Sequence, residues 1–124
     1  MAWRVVLPGQ PVSGNHAHKI GRGFRRGGIS YPKIIKTPEA EAYQQGIAYI
    51  VRTSRPRDWH WNDRFVVCEY YFYLWDDLDC TNAIKVIEDG IFPALGINDT
   101  WALPRAMEKH HVSKAKARVE VIIE

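Results

Sequence analysis

Four apolar segments of the chain predict β-strands. Trp3 to Leu7 is a short apolar run that ends at a Pro-Gly pair, which is typical of an opening strand. Phe65 to Trp75 is rich in Val, Tyr and Phe and is interrupted only by Glu69, so it predicts a long strand covered on both faces. Two further strands are predicted at about 105–112 and 117–123, and the alternation of apolar and charged residues is clearer in the second.

The segment that begins at Thr37 predicts the first helix. Thr37 is a good N-cap, Pro38 suits the first helical position, and Glu39 places an acid in the first turn. Apolar residues then recur at helical spacing up to about Arg52. The apolar face consists of Tyr43, Ile47, Ile50 and Val51.

A second, shorter helix is predicted between positions 82 and 92. At about 100° per residue, Asn82, Lys85 and Asp89 fall within about 60° of one another. The isoleucines at 84, 87 and 91 fall on the opposite side, which is therefore expected to face the core. Pro93 is expected to break the helix.

Length and composition set the class of protein. A chain of 124 residues fits one domain, residues 1–124, with a core of its own. No apolar run approaches the roughly 20 residues of a membrane span, and the N-terminus lacks the apolar stretch of a signal peptide. The sequence therefore predicts a cytoplasmic protein with no membrane partner. Cys68 and Cys80 lack the spacing of a zinc site or a disulfide framework.

Charge is unevenly distributed along the chain. Residues 1–38 contain seven Lys and Arg residues and no acid, whereas residues 76–99 contain six acids and the single base Lys85. The glycine-rich, basic segment 8–36 predicts a mobile loop, or a loosely held hairpin around Gly27-Gly28. Because this segment lacks acids, we expect it to contact the phosphates of a nucleic acid. Chance clustering of charge on a solvated surface is the alternative.

Four carboxylates stand at places where they can converge. Asp77 and Asp79 follow the long strand, Asp89 lies on the polar face of the second helix, and Asp99 follows that helix. Four carboxylates brought together would repel one another strongly unless a cation lay among them. Mg²⁺ is the natural candidate because it prefers oxygen ligands. The metal would serve phosphodiester cleavage, and Lys85 would stabilise charge at the attacked phosphate. Each residue also has an ordinary alternative: Asp79 as a helix cap, Lys85 and Asp89 as a surface pair, Asp99 as a turn residue.

Two motifs resemble the RusA family of Holliday-junction resolvases. The segment 7–15, LPGQPVSGN, is similar to the family's opening strand and loop, and Tyr31-Pro32 and the helix with Tyr43 follow in the same order. The segment 79–89, DCTNAIKVIED, resembles the family signature D-x-D-N-x-x-K-x-x-x-D. Asn98-Asp99 stands where the family usually has two aspartates. The resemblance covers nearly the whole chain.

The chain departs from the family pattern at two positions. Without a gap, Asp79 takes the place of the first aspartate and Thr81 replaces the second; with a two-residue insertion, Asp77 and Asp79 form the pair. The gapless register keeps the following Asn, Lys and Asp in step, and Asp77 then supplies the missing charge. The second departure is Asn98 in place of an aspartate. Both changes allow a weakened metal site.

The resemblance implies an α+β fold with a mixed β-sheet and two main helices, assembled as a homodimer. It implies a Mg²⁺-dependent endonuclease, with Mn²⁺ as an alternative metal, that resolves four-way or other branched DNA in recombination and repair. Bacteria and their phages are the expected source. The implied catalytic residues are Asp77, Asp79, Lys85, Asp89 and Asp99, of which Asp79, Asp89 and Asp99 would bind the metal. The implied DNA-binding residues are Asn15, Lys19, Arg22, Arg25, Arg26 and Asn82.

Two other functions fit the same residues. One is a metal-dependent nuclease that trims flaps or nicks duplexes without preferring junctions. The other is a catalytically weakened or inactive protein that binds branched or single-stranded DNA through the basic segment and aromatics such as Trp59 and Trp61. Those two tryptophans also suit a core or a dimer interface, which we consider the better interpretation.

Overall fold

A computed structural model of the chain describes residues 1–14, 18–21, 25–26, 29–30 and 33–124, and the side chains of residues 1–14 and 36–124. Within these residues, the strands and helices in chain order are β1 (Trp3–Pro8), β2 (His18–Gly21), β3 (Arg25–Arg26), β4 (Ile29–Ser30), β5 (Lys33–Lys36), α1 (Pro38–Ser54), β6 (Val66–Leu74), α2 (Cys80–Leu95), β7 (Ala102–His111) and β8 (Arg118–Ile123). Short 3₁₀ turns, Asp99–Trp101 and Lys114–Lys116, precede β7 and β8. The predicted α+β class is confirmed.

The main sheet has four strands in the order β1-β8-β6-β7. β1 pairs antiparallel with β8, β8 pairs antiparallel with β6, and β6 pairs parallel with β7, so the sheet is mixed as expected. Parallel neighbours need a crossover connection, and α2 supplies it between β6 and β7. α2 therefore begins at the end of the sheet where β6 ends, and β7 begins at the other end.

Both helices pack on one face of this sheet. Alternate residues of β1, β6 and β8 are buried, and they form one core with residues of α1 and α2. The intervening residues of β6, such as Tyr71 and Tyr73, are only partly covered. The prediction that both faces of this strand are covered is therefore wrong for the single chain. No helix of the described residues is long and apolar enough to cross a membrane.

The two helices largely follow the sequence pattern. Thr37 caps α1 through a hydrogen bond from Ala40 N to its hydroxyl (3.3 Å), as predicted. α2 starts two residues earlier than expected and runs through Pro93 to Leu95, so the prediction that Pro93 breaks it is wrong. Because Pro93 has no N–H, the carbonyl of Asp89 lacks its helical hydrogen-bond donor. Asp89 is exposed to water. Gly96, at φ 71°, ends the helix in a left-handed conformation.

The basic segment contains paired strands as well as loops. β2 pairs with β5, and β3 pairs with β4 around Gly27-Gly28, which agrees with the hairpin rather than with one long loop. Residues 27–28 themselves lie outside the described residues. Of the two strands predicted in the last third, β7 begins three residues earlier than expected, at Ala102, whereas β8 (Arg118–Ile123) is found where it was predicted.

α1 and α2 approach closely where Gly90 faces α1. A β-carbon added at Gly90 would lie 2.9 Å from Ile47 Cβ and 3.1 Å from the carbonyl oxygen of Gln44. At the same crossing, the buried side chain of Gln44 donates from Nε2 to the carbonyl of Val86 (3.0 Å). The crossing therefore depends on glycine for its distance and on Gln44 for its register.

Gly90→Ala is expected to destabilise the protein. The methyl group would meet both a side chain and the backbone of α1, and such overpacking costs about 1–3 kcal/mol, of which the better helix propensity of alanine offsets up to about 1 kcal/mol. Urea denaturation would measure the free energy of unfolding. Gly46→Ala is the matched control, because Gly46 is an exposed glycine of α1 with no atom within 4 Å of an added β-carbon. It should gain roughly 0.5–1 kcal/mol, and equal effects at the two positions would contradict the role of Gly90.

Candidate functional site

The loop after β6, residues 75–79, contains Asp76 and two of the carboxylates singled out in the sequence, Asp77 and Asp79, and we call it the acidic loop. The side chain of Gln10, from the segment after β1, holds the start of this loop. Its Oε1 accepts a hydrogen bond from Trp75 N (3.1 Å), and its Nε2 donates to the carbonyl of Asp76 (2.7 Å). Both amide atoms of Gln10 are used, so the loop is fixed to β1 as well as to β6.

Lys109 of β7 holds the other end of the acidic loop. Its ammonium donates to the carbonyl of Leu78 (3.0 Å) and forms an ion pair with the carboxylate of Asp77. This contact lowers the pKa of Asp77 and raises that of Lys109. Asp77 thus already has a cation partner, although its side chain is 86% exposed.

Asp79 is the N-cap of α2. Its Oδ1 accepts from Thr81 N (2.9 Å), and its Oδ2 lies 3.5 Å from Asn82 Nδ2, at the limit of a hydrogen bond. The alternative that Asp79 serves as a helix cap is therefore confirmed. Its Oδ2, however, has only the weak contact with Asn82 among the described residues. Asp79 lines a cleft of about 530 Å³, together with Gln10, Pro11, Val12, Ser13, Glu39, Asp76, Asp77 and Leu78.

The remaining predicted site residues meet beside the middle of α2. Lys85, Glu88, Asp89 and Asp99 line a cleft of about 360 Å³, which we call the helix pocket. Lys85 and Asp89 are exposed on the polar face of α2, as predicted, and the isoleucines at 84, 87 and 91 are buried. No carboxylate of the described residues lies within 4 Å of the Lys85 ammonium. The alternative interpretation, a surface ion pair of Lys85 with Asp89, is therefore not found.

Asn98 keeps the carbon skeleton of the family's aspartate and serves as a cap. Its Oδ1 accepts from Thr100 N (3.0 Å) and begins the 3₁₀ turn that carries Asp99. An asparagine caps a turn as well as an aspartate does, so this departure leaves the placement of Asp99 intact.

Glu88 lies close to two other carboxylates in the helix pocket. Partial burial, followed by the neighbouring carboxylates of Asp99 and Asp89, raises the pKa of Glu88 to about 7. Burial raises the pKa values of Cys68 and Tyr70 in the core, and the charge of Glu88 contributes to both increases. A carboxylate in this position binds a proton more readily in the folded chain than in the unfolded one.

This shift predicts how stability depends on pH. The pKa of Glu88 is raised on folding, so its contribution is fully present below its ordinary pKa of 4.5 and is lost as the pH rises towards about 7. Glu88→Gln should remove this loss and raise the melting temperature more at pH 8 than at pH 5. Melting curves of the variant, the wild type and the exposed control Glu41→Gln would test this. A Glu88→Gln curve parallel to that of the wild type across this pH range would contradict it.

The predicted metal ligands fall in two places. Asp89 and Asp99 line the helix pocket, whereas Asp79 lines the larger cleft at the start of α2, about 13 Å along the helix axis from Glu88. Among the described residues, no three side chains of His, Cys, Asp or Glu form a group that could hold a metal ion. The helix pocket still suits a hard cation that keeps water and takes one or two carboxylates, because a cation would relieve the repulsion around Glu88.

For most of the predicted DNA-binding residues, the structure describes no side chain. Asn15 and Arg22 lie outside the described residues, and for Lys19, Arg25 and Arg26 only the strands that contain them are described. Gly14, the last described residue before position 15, contacts α2. A β-carbon at Gly14 would lie 3.2 Å from the carbonyl oxygen of Asn82, so the segment begins against the first turn of α2.

Sequence reasoning missed Gln10, Glu88 and Lys109 as parts of the site. Glu88 had a usable signal, since it lies three residues after Lys85 and therefore one turn along the same side of α2. Gln10 and Lys109 had none, because each contacts residues more than 30 positions away in the chain. A scan against protein-family models found no matching family. A search of curated proteins also found no match.

Proposed function

We propose that this protein is a divalent-metal-dependent endodeoxyribonuclease that cleaves branched DNA, four-way junctions above all, in the manner of the RusA family that its motifs resemble. The main support is the helix pocket, where an exposed lysine stands among three carboxylates without pairing to any of them. A lysine and an acid four residues apart on a helix can form a weak ion pair, but Lys85 and Asp89 do not. A lysine that is left available can bind a substrate phosphate.

The roles within the pocket follow from the charges. Asp89 and Asp99 would hold Mg²⁺ or Mn²⁺ in the helix pocket, and Asp79 would supply a carboxylate in the separate cleft at the start of α2. When bound, the metal would activate a water molecule and offset the charge of the attacked phosphate. The Lys85 ammonium would hold a non-bridging oxygen of that phosphate and stabilise the charge that develops on it. The paired Asp77 would keep Lys109 against the acidic loop and so fix the loop in place.

A homodimer belongs to the same proposal. The face of the sheet without helices is only partly covered, and Val6 of β1 and Leu103 of β7 are exposed on it at 39% and 41%. Burial of such a surface against a second copy would be favourable. Two-fold symmetry would give two equivalent sites for the two nicks that a four-way junction requires. The cytoplasm of a bacterium, with a phage as one source of the gene, is the setting that this activity implies.

An inactive DNA-binding protein is the second candidate. It is favoured by one observation, that no group of three metal-ligating side chains is formed among the described residues. Stacking of bases on Trp59 has no support, because Trp59 is buried at 2% exposure against Trp3 (ring centroids 5.8 Å apart).

A cleavage assay separates the two candidates. An end-labelled four-way junction and a linear duplex of the same arm sequence are incubated with the protein in Mg²⁺ and in EDTA. We expect symmetrical nicks in the junction in Mg²⁺ only, and sedimentation of the same sample should show a dimer. Lys85→Ala protein purified in parallel controls for contaminating nucleases. Binding of the junction without cleavage in Mg²⁺ or Mn²⁺ would favour the inactive binding protein.

A further inference from the structure

The end of the sheet where β6 finishes also carries a row of cations from β7 and the turn that follows. Residues 105–118 contain five Lys and Arg residues and two histidines against the single acid Glu108. Four residues of this segment, with one tryptophan from the acidic loop, form the surface that we call the basic rim: Trp75, Lys109, His111, Lys114 and Lys116.

Pairing of β6 with β7 brings the rim together. Lys109 and His111 lie in register with Phe72 and Leu74, and both line a cleft of about 290 Å³ with Asp76 and Asp77. Immediately after β7, Val112 N donates to the carbonyl of Leu74 (2.8 Å), which folds the next turn back towards the acidic loop. The rim therefore adjoins the candidate site.

Trp75 positions one of the cations. Its ring is 39% exposed, and the Lys114 ammonium lies 5.2 Å from the ring centroid, in the range of a cation–π contact. Such a contact restrains the long side chain of Lys114 while leaving its N–H groups free to donate. A phosphate that approaches this surface would meet an ammonium group already in place.

The charges of the rim are unequally compensated. Lys109 is paired with Asp77, and the neighbouring Arg118 is paired with Glu120 (2.8 Å). Lys114 and Lys116 are exposed, and no carboxylate in the part of the chain whose side chains are described lies within 4 Å of either ammonium. Two uncompensated ammonium groups on a 3₁₀ turn are well suited to bind a polyanion. Each ammonium that contacts a phosphate releases a counterion from the nucleic acid, and this release favours binding.

We propose that the basic rim binds the phosphate backbone of a DNA arm and leads it to the acidic loop. This surface is built from other residues than the basic segment 8–36, on which the sequence placed the DNA contacts. The inference rests on DNA as the proposed substrate, but not on its cleavage. Lys109 offsets the charge of Asp77 at the boundary, which leaves Asp76 as the carboxylate of that cleft without a described cation partner.

A salt titration in EDTA tests the rim without cleavage. The double variant Lys114→Ala/Lys116→Ala and the wild type are titrated with a fluorescent four-way junction, and the affinity is followed as the salt concentration rises. Loss of two phosphate contacts should reduce the slope of log K against log salt by roughly 1.8 for each subunit bound to duplex arms, and so by roughly 3.6 for the proposed dimer. The backbone carbonyl of Lys116, which accepts a hydrogen bond from Arg118, is unchanged in the variant.

Arg4→Ala/Arg57→Ala is the matched control. It removes the same net charge from two exposed residues, one in β1 at the opposite edge of the sheet from β7 and one after the end of α1. We expect the control to keep the wild-type slope. An equal slope for the rim variant and the wild type, equal losses in both double variants, or no binding by the wild type would each overturn the proposal. A wild type that binds with the expected slope but never cleaves would overturn only the proposed nuclease activity.

Discussion

Asp79→Asn is expected to lower cleavage of a four-way junction by roughly a hundredfold or more while the protein stays folded. Asn is as good an N-cap as Asp, so the hydrogen bond from Thr81 N to the cap is retained. What the variant loses is the charge on Oδ2, the oxygen whose only described partner is Asn82 at 3.5 Å. Binding in EDTA should be equal or tighter, because one negative charge near the DNA is removed.

Comparison with two other variants separates the cap from the site. Asp79→Ala loses the cap as well and should reduce the free energy of unfolding by about 1 kcal/mol, whereas Asp79→Asn should melt with the wild type. Asp58→Asn is the control for removal of an exposed carboxylate elsewhere. The measurements are thermal melting, junction binding and cleavage in Mg²⁺. Cleavage by Asp79→Asn at a nearly wild-type rate would leave Asp79 as a cap alone.

The helices and strands were predictable where local patterns determine them. The Thr-Pro-Glu start of α1, the alternation in β8 and the division of α2 into an isoleucine face and a polar face all reflect burial on one side only. The prediction that the helix ends at Pro93 was wrong because Ile91, Phe92 and Leu95 are buried in the core, and this packing stabilises the last turn of α2. The one-sided burial of β6 was missed because both of its faces carry large apolar side chains.

The site was less predictable than the fold. The polar face of α2 and the position of Asp99 were accessible from periodicity, and they do line one pocket. The ion pair of Asp77 with Lys109 depends on β6 and β7 being parallel neighbours, which no local pattern indicates. The separation of Asp79 from Asp99 follows from the same crossover, because one precedes α2 and the other follows it.

Lys85→Ala should give a folded protein that binds DNA and is nearly inactive. If the ammonium stabilises charge on the attacked phosphate, its loss should lower the cleavage rate by roughly two to three orders of magnitude, as for removal of one transition-state donor. Stability should change little, because Lys85 is exposed and alanine is a good helix former. It can even rise slightly if the lysine serves activity at the expense of stability.

Three measurements on one preparation decide the role of Lys85: thermal melting, junction binding in EDTA and single-turnover cleavage in Mg²⁺. Arg57→Ala, at an exposed cation after the end of α1, is the control and should cleave like the wild type. Lys85→Arg keeps the positive charge and should retain more activity than Lys85→Ala, because the guanidinium still donates to a phosphate, though from a different position. If Lys85→Ala cleaves within a few-fold of the wild type, the lysine is an ordinary surface residue, and the helix pocket loses the feature that best supports a nuclease.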